Sequence, residues 1–230
     1  MVKQSNGHLM PEIDTNREKC YSCYRPQSSC MCGHVHAIDT KTKFIVLMHP
    51  KEFQKVKNGT GHLTHLALSN SELFVGIDFT DNARINEIIR THQSYILYPS
   101  KEAINLSQQP LHVELLKKDK AIFLIDSTWA CSLKMMRVSK NLHGLKHISF
   151  DNTKCSEFKI KEQPMQYCLS TMESTQRVLE LLNTWQEETI PQEKLNAFLT
   201  PFHKMIAYQL SFIENPLHNG VRYKSKKWAT

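Results

Sequence analysis

The sequence predicts an α/β fold with a mostly parallel sheet flanked by helices. Short apolar segments of strand length recur along the chain, and segments with helical periodicity lie between them, which is the pattern of a parallel sheet. A second observation, four closely spaced cysteines near the N-terminus, predicts a small metal-binding module in front of this domain. Five strands are expected, at residues 43–48, 72–77, 94–98, 121–125 and 146–150.

Capping residues predict where the helices begin. Thr60 and Asp81 are expected to start two short helices, because each lies just before apolar residues at helical spacing. Ser170 and Glu173 have the spacing of a capping box and are expected to open a long amphipathic helix. A second helical region follows Pro191 and is expected to continue to about residue 212.

Composition and charge limit the classes of function. The chain has 230 residues and a formal net charge of +7, which suits a polyanionic partner such as nucleic acid. It has seven glycines and neither a G-x-G-x-x-G nor a P-loop motif, so a Rossmann dinucleotide site and a P-loop are not expected. Neither a secretion signal nor an apolar run of membrane-spanning length is present, so we expect a cytoplasmic protein without a membrane partner.

The cysteine group is expected to bind structural zinc. Two short cysteine pairs joined by a turn supply four soft ligands, which fill a tetrahedral site and leave no open position. A redox switch and a metal-free thiol cluster are the alternatives, and His34 or His36 is able to replace one cysteine. The other three cysteines are expected to be buried small apolar side chains. The four expected ligands are Cys20, Cys23, Cys30 and Cys32.

The end of the apolar strand at 121–125 is the strongest candidate for a ligand site. It is followed directly by Asp126, Ser127, Thr128 and Trp129. In open α/β sheets, ligands bind just beyond the carboxyl ends of the strands. A carboxylate, two hydroxyl groups and a flat aromatic ring suit a polar ligand that contains a ring. The alternative is a strand end whose Ser or Thr only caps the next helix.

Several motifs of this chain resemble those of the DTW-domain family of tRNA-uridine aminocarboxypropyltransferases, in the SPOUT-like superfamily, and they follow one another along the chain in the same order as in the family. The family signature Asp-x-Thr-Trp is present as Asp126-Ser127-Thr128-Trp129. The sequence departs from the family at Ser127, where Gly is common, at Ser174, where Ala is usual, and at Lys161, where Arg is expected. The other matching pieces are the four cysteines, His49-Pro50-Lys51-Glu52, Thr60-Gly61-His62-Leu63, Tyr98-Pro99-Ser100, Lys134-Met135, and Pro164 before Leu169-Ser170-Thr171-x-Glu173.

The resemblance implies a SPOUT-like sheet with a C-terminal knot. It covers roughly residues 20–186 and implies three parts. These are an N-terminal segment with the zinc module at 1–42, a catalytic domain at 43–186, and a helical extension with a basic tail at 187–230.

The resemblance also implies the reaction. Members transfer the 3-amino-3-carboxypropyl group of S-adenosylmethionine to N3 of a tRNA uridine and release 5′-methylthioadenosine. The compact length favours the variable loop, the target of bacterial-type members, over the D-loop, the target of eukaryotic relatives. The alternatives are an RNA methyltransferase that uses the same pocket, a non-enzymatic zinc-containing RNA-binding protein, and transfer to ribosomal RNA. No obligate protein partner is evident.

The matching motifs carry the expected site residues. Asp126 is the expected catalytic residue, either as the general base for the uridine imide or as the group that orients the donor. Three loops are expected to bind S-adenosylmethionine: Leu97, Tyr98, Pro99 and Ser100; Asp126, Ser127, Thr128 and Trp129; and Leu169, Ser170, Thr171 and Glu173. The expected tRNA-binding cations are Lys134, Arg137, Lys140, Lys159 and Lys161.

Overall fold

A six-stranded, all-parallel sheet forms the centre of the protein, which confirms the predicted fold class. The computed structural model describes residues 18–55, 58–111, 118–152, 155–158 and 168–213. The strand order is β2-β1-β5-β3-β6-β4. The strands are β1 (Lys43–Met48), β2 (Ser71–Val75), β3 (Gln93–Leu97), β4 (Ile104–Asn105), β5 (Lys120–Asp126) and β6 (Lys146–Ser149).

Helices connect the strands and cover both faces of the sheet. They are α1 (Pro50–Lys55), α2 (Gly61–Leu66), α3 (Ala83–Thr91), α4 (Trp129–Val138), α5 (Thr171–Thr184), α6 (Gln192–Ala197) and α7 (Thr200–Ile213). None of the helices in the described ranges is long and apolar enough to cross a bilayer. Residues 159–167 lie outside the described ranges, and the C-terminal knot stays a prediction, as does the division into three parts.

The central strands are apolar on both faces because both faces are covered. Phe44 and Val46 of β1 share one core with residues of α2, α5, α6 and α7. Ile45 and Leu47, which point to the opposite face, share a second core with residues of α3 and α4. Because all the strands are parallel, their carboxyl ends lie at one edge of the sheet, and the polar residues after β3 and β5 meet there.

Two details of the prediction were wrong. Asn82 rather than Asp81 caps α3, since the Asn82 side chain accepts a 3.0 Å hydrogen bond from the Ile85 backbone N–H. Thr60 precedes α2, but its hydroxyl forms no capping hydrogen bond because the residue already has helical backbone angles. The capping box at the start of α5 is confirmed: Ser170 accepts from the Glu173 N–H, and Glu173 accepts from the Ser170 N–H.

Candidate active site

A cavity of about 910 Å³ opens at the carboxyl edge of the sheet. The three loops that were expected to bind the donor all contribute to its wall. Ser100 lines a separate groove, and Glu173 is turned away from the cavity. The expected residues that do line the cavity are Leu97, Tyr98, Pro99, Asp126, Ser127, Thr128, Trp129, Leu169, Ser170 and Thr171. Contact of these loops with S-adenosylmethionine stays a prediction.

Asp126 connects the cavity wall to three neighbouring segments. It is the last residue of β5, it is buried, and its Oδ1 accepts a 2.7 Å hydrogen bond from the Thr171 hydroxyl at the start of α5. Its backbone carbonyl accepts a 3.0 Å hydrogen bond from the His49 N–H. A Cβ atom on Gly61 would overlap with the Asp126 carboxyl group, so the start of α2 packs directly on this side chain. The Asp126 carboxylate is therefore held in one position at the cavity wall.

Glu173 holds a second segment of chain beside the start of α5. Its carboxylate accepts hydrogen bonds from the Ser170 N–H at 2.8 Å, the Glu157 N–H at 2.8 Å and the Ser156 hydroxyl at 2.9 Å. Both carboxylate oxygens of Glu173 are occupied by these bonds, and Glu173 itself does not line the cavity. The structure thus places Glu173 as a support for Ser170 and Thr171, which do line the cavity.

The aromatic side chains of Tyr98 and Trp129 stand close together at the cavity. Their ring centroids are 6.4 Å apart, and Trp129 is 44% exposed. Thr128 occupies the N-cap position of α4, yet its hydroxyl forms no capping hydrogen bond. Capping alone therefore does not account for Thr128, and its exposed hydroxyl group is available to a ligand.

Several residues that line the cavity were not selected from the sequence. Glu52 in α1 and Thr60 lie in two of the family motifs, which was the only signal that pointed to them, and Asn58 and Gly59 directly precede the second motif. Phe150, Asn152 and Phe158 also line the cavity but carry no such signal.

None of the three cysteines outside the N-terminal group is buried as expected. Cys155 is exposed, and Cys131 and Cys168 are half-buried, Cys168 at the cavity wall, so the expectation that all three are buried was wrong. Cys131 lies in α4, whereas Cys155 and Cys168 lie in irregular segments, which run over the protein surface.

Three of the expected RNA-binding cations are exposed, in α4 or directly after it. Lys134 and Arg137 are one turn apart on α4, and Lys140 follows the helix. Burial, together with the charges of Lys51 and Lys134, lowers the pKa of His49 despite the opposing charge of Glu52. Lys134 thus lies near the end of β1, where the cavity opens. Lys159 and Lys161 lie outside the described ranges.

The four N-terminal cysteines converge into a cluster. Their sulfur atoms all lie within 4.8 Å of one another, and His34 and His36 remain exposed outside the group. The Cys20–Cys32 and Cys23–Cys30 sulfur distances are 3.6 and 3.8 Å. A tetrahedral zinc ion with Zn–S bonds of about 2.3 Å separates its sulfur ligands by about 3.8 Å. The spacing therefore fits zinc.

The backbone around Cys20 favours a thiolate. Backbone hydrogen bonds from Cys23 and Ser22 lower the pKa of Cys20 to about 6. Tyr24 adopts a left-handed backbone conformation with a φ of 58°, which closes the turn after the first cysteine pair. Thiolates are the form that binds a metal, so this turn suits a metal ligand.

Arg25 joins the cysteine cluster to the cavity. Its guanidinium group is buried and donates a 2.6 Å hydrogen bond to the carbonyl of Gly59, which lines the cavity. The same Nη2 atom lies 3.2 Å from the Met205 sulfur in α7. Burial lowers the pKa of Arg25, while the neighbouring cysteines oppose this shift. The N-terminal module is therefore fixed to one loop of the cavity wall and to the last described helix.

The fold and the site define an α/β protein with a ligand cavity at the carboxyl edge of a parallel sheet and a four-cysteine cluster packed beside it. The family model described as the DTW domain matches residues 17–210. The chain therefore belongs to the DTW-domain family, which confirms the resemblance seen in its motifs.

Three curated relatives carry the name tRNA-uridine aminocarboxypropyltransferase 2 and are thus transferases by name. The protein from Drosophila melanogaster is 27% identical over 219 residues, which cover 92% of this chain and 80% of the relative. The Macaca fascicularis protein is 26% identical over 209 residues, with 88% and 67% covered. The Mus musculus protein is 27% identical over 207 residues, again with 88% and 67% covered. No solved structure matches the chain.

Proposed function

We propose that this protein is a tRNA-uridine aminocarboxypropyltransferase that uses S-adenosylmethionine as donor and N3 of uridine as acceptor. The observation that carries the proposal is the convergence of three family motifs on one cavity, with Asp126 hydrogen-bonded to Thr171 at its wall. The names of the animal relatives support the same activity.

The reaction forms a bond from uridine N3 to the γ-carbon of the methionine part and breaks the bond from that carbon to sulfur. 5′-Methylthioadenosine leaves with the electron pair of the broken bond, and the N3 proton must be removed. Alignment of nitrogen, carbon and sulfur supplies most of the rate in such a displacement. Asp126 either accepts the proton or orients the donor. The Thr171 hydroxyl donates a hydrogen bond to its Oδ1, which orients the carboxylate in both roles.

The cavity offers suitable groups for each part of the donor. Leu124, Ile148 and Phe158 supply apolar wall for the adenine ring, and Trp129 supplies a flat face at the opening. The first backbone N–H groups of α5, which follow Ser170, are suited to the carboxylate of the methionine part.

The surface beside the cavity suits a tRNA acceptor, and we place the reaction in the cytoplasm. We assign phosphate contacts to Lys134, Arg137 and Lys140 on the exposed surface beside the cavity, and to Lys159 and Lys161 by the family resemblance. Cys20, Cys23, Cys30 and Cys32 would hold a structural zinc ion, which keeps the N-terminal turn rigid.

Donor labelling tests the proposal. The protein is incubated with tRNA and S-adenosylmethionine that carries the label either in the carboxyl group or in the methyl group. Carboxyl label in tRNA and release of 5′-methylthioadenosine are expected. Methyl label in tRNA would show a methyltransferase instead. tRNA binding without transfer of either label would support a non-enzymatic RNA-binding protein. Ribosomal RNA is offered as a second acceptor, and label in ribosomal RNA rather than in tRNA would support the alternative acceptor.

Mapping of the modified uridine tests the position. We propose the variable loop, and the D-loop is the alternative because the relatives named above are animal proteins. Nuclease digestion of the labelled tRNA followed by mass spectrometry distinguishes the two loops. A transcript in which the variable-loop uridine is replaced by cytidine is the control.

A further inference from the structure

The cavity is acidic, although the chain as a whole carries a net charge of +7. Two carboxylates, Glu52 and Asp126, line it, and none of the described lining residues is lysine, arginine or histidine. The nearby cations Lys51 and Lys134 influence His49 but are not part of the lining. The charge of the lining is thus opposite to that of the surface assigned to tRNA.

Glu52 occupies an unusual position for a carboxylate. It is only 7% exposed, and its carboxylate forms no hydrogen bond or ion pair with the residues that the structure describes. Burial of a charged group without a partner costs free energy. A cationic group of a ligand in the cavity would supply the partner that the described residues do not.

The charges of the proposed donor and product match this arrangement. At neutral pH, S-adenosylmethionine has a sulfonium, an ammonium and a carboxylate, and therefore a net charge of +1. Transfer moves the ammonium and the carboxylate to the RNA and converts the sulfonium into a neutral thioether. 5′-Methylthioadenosine therefore carries no charge that Glu52 or Asp126 can bind.

We infer, on the basis of the proposed function, that Glu52 acts with Asp126 to select the donor by its positive charge and to release the neutral product. Glu52 is assigned as a donor-binding residue, on the α1 side of the cavity. Asp126 lies on the β5 side. The pair favours ligands with a cation at or near the sulfonium position over ligands that have a neutral atom there.

Calorimetric titration of the full-length protein tests this selectivity. The ligands are S-adenosylmethionine, sinefungin, which has an ammonium-bearing carbon in place of the sulfonium, S-adenosylhomocysteine, which has a neutral thioether, and 5′-methylthioadenosine. The first two are expected to bind on the order of tenfold more tightly than S-adenosylhomocysteine, since a charged contact is lost in the thioether. 5′-Methylthioadenosine is expected to bind most weakly.

The Glu52→Gln variant identifies the residue. It keeps the shape of the side chain and removes the charge, so the preference for S-adenosylmethionine over S-adenosylhomocysteine is expected to fall to about twofold or less. The KM for the donor is expected to rise more than kcat falls. Glu102→Gln is the matched control, because Glu102 is exposed outside the cavity and its loss changes the net charge equally. This control is expected to keep the full preference.

The outcomes separate this inference from the proposed function. Equal binding of S-adenosylmethionine and S-adenosylhomocysteine by the unaltered protein, with transfer intact, would overturn the inference alone. An unchanged preference in Glu52→Gln would also overturn it. Absence of both donor binding and transfer would overturn the proposed function as well. If Glu52→Gln does not fold, Glu52→Asp replaces it and is expected to weaken the preference, because the shorter carboxylate lies farther from the ligand.

Discussion

The guanidinium group of Arg25, within the four-cysteine segment, donates a 2.6 Å hydrogen bond to the Gly59 carbonyl at the cavity wall. The cysteine cluster and the cavity are therefore parts of one continuous structure. Loss of this contact should affect the donor site even when the cluster is intact.

Arg25→Met tests this connection. We expect about a tenfold weaker affinity for S-adenosylmethionine, because the Gly59 carbonyl loses a charged donor and residues 58–60 lose their fixed position. Calorimetry measures the affinity, and elemental analysis shows that the zinc content is retained. Arg84→Met is the control, since Arg84 pairs with Glu72 and Glu87 on the surface. Unchanged affinity in Arg25→Met would contradict the expectation.

Removal of the Thr171 hydroxyl tests the position of Asp126. Thr171→Val should lower kcat/KM about tenfold to a hundredfold, because Asp126 loses a 2.7 Å hydrogen bond that orients it. Thr184→Val at the other end of α5 is the control, since that exposed hydroxyl bonds only to the helix backbone. A steady-state transfer assay gives the result, and equal activity of the two variants would rule out this role for Thr171.

Asp126→Asn separates the two roles of the carboxylate. If Asp126 is also the general base, kcat falls sharply and its acidic limb disappears from the pH profile, in addition to any loss of donor affinity. If Asp126 orients the donor, the affinity falls and the shape of the pH profile is retained. Rate profiles and calorimetry on the same preparation distinguish these outcomes.

Gly61 should not tolerate a side chain. A Cβ at this position would overlap with the Asp126 carboxyl group and lie 2.7 Å from the Met48 methyl group. Gly61→Ala should therefore cost about 1–3 kcal/mol of unfolding free energy and most of the activity. Denaturant unfolding and the transfer assay measure both. Gly144→Ala is the control, because a Cβ there meets nothing within 4 Å.

Stability should decrease in mild acid because of His62. Burial lowers the pKa of His62 to about 4, with a smaller contribution from Arg25, so the folded protein holds this ring neutral. The unfolded chain takes up a proton below about pH 6.5, so stability falls between pH 6.5 and 4 by about 1 kcal/mol after allowance for solvent screening. Thermal unfolding of His62→Phe should show a weaker pH dependence, whereas exposed His36→Gln should behave as the unaltered protein.

The cysteine cluster should bind one zinc ion per chain. Elemental analysis is expected to give a ratio near one, and Cys23→Ser should lose most of the metal and unfold at a lower temperature. Cys131→Ser, outside the cluster, should retain both the zinc content and the unfolding temperature of the unaltered protein. Full zinc content in Cys23→Ser would show that the metal lies elsewhere.

Features with a strong local pattern were predictable from the sequence. The strand Lys43–Met48 has five consecutive apolar residues after Lys43, and the Ser170–Glu173 capping box depends on residues three positions apart. By contrast, β4 has only two residues and exists because it pairs with β6, which no local pattern records. Asp81 and Asn82 are neighbours with equivalent capping chemistry, so the sequence did not distinguish between them.

The candidate site was harder to predict than the strands and caps, because it depends more on contacts between residues that are far apart in the sequence. The family motifs indicated three loops, but the burial of Glu52 at the cavity wall, in the short helix α1 that follows β1, depends on tertiary packing that no local pattern records. The link from Arg25 to Gly59 spans 34 positions and involves a backbone carbonyl, which has no signature in the side-chain sequence.

The pairing of Met48 with Asp126 across β1 and β5 constrains how this protein can vary in length. An inserted residue within β1 would exchange the side chains of its two faces and carry His49 away from the Asp126 carbonyl. Insertions and deletions among homologues should therefore avoid the segment from Lys43 to Gly61 and collect in connections such as Lys101–Ala103. Engineers who graft sequences onto this scaffold should observe the same boundary.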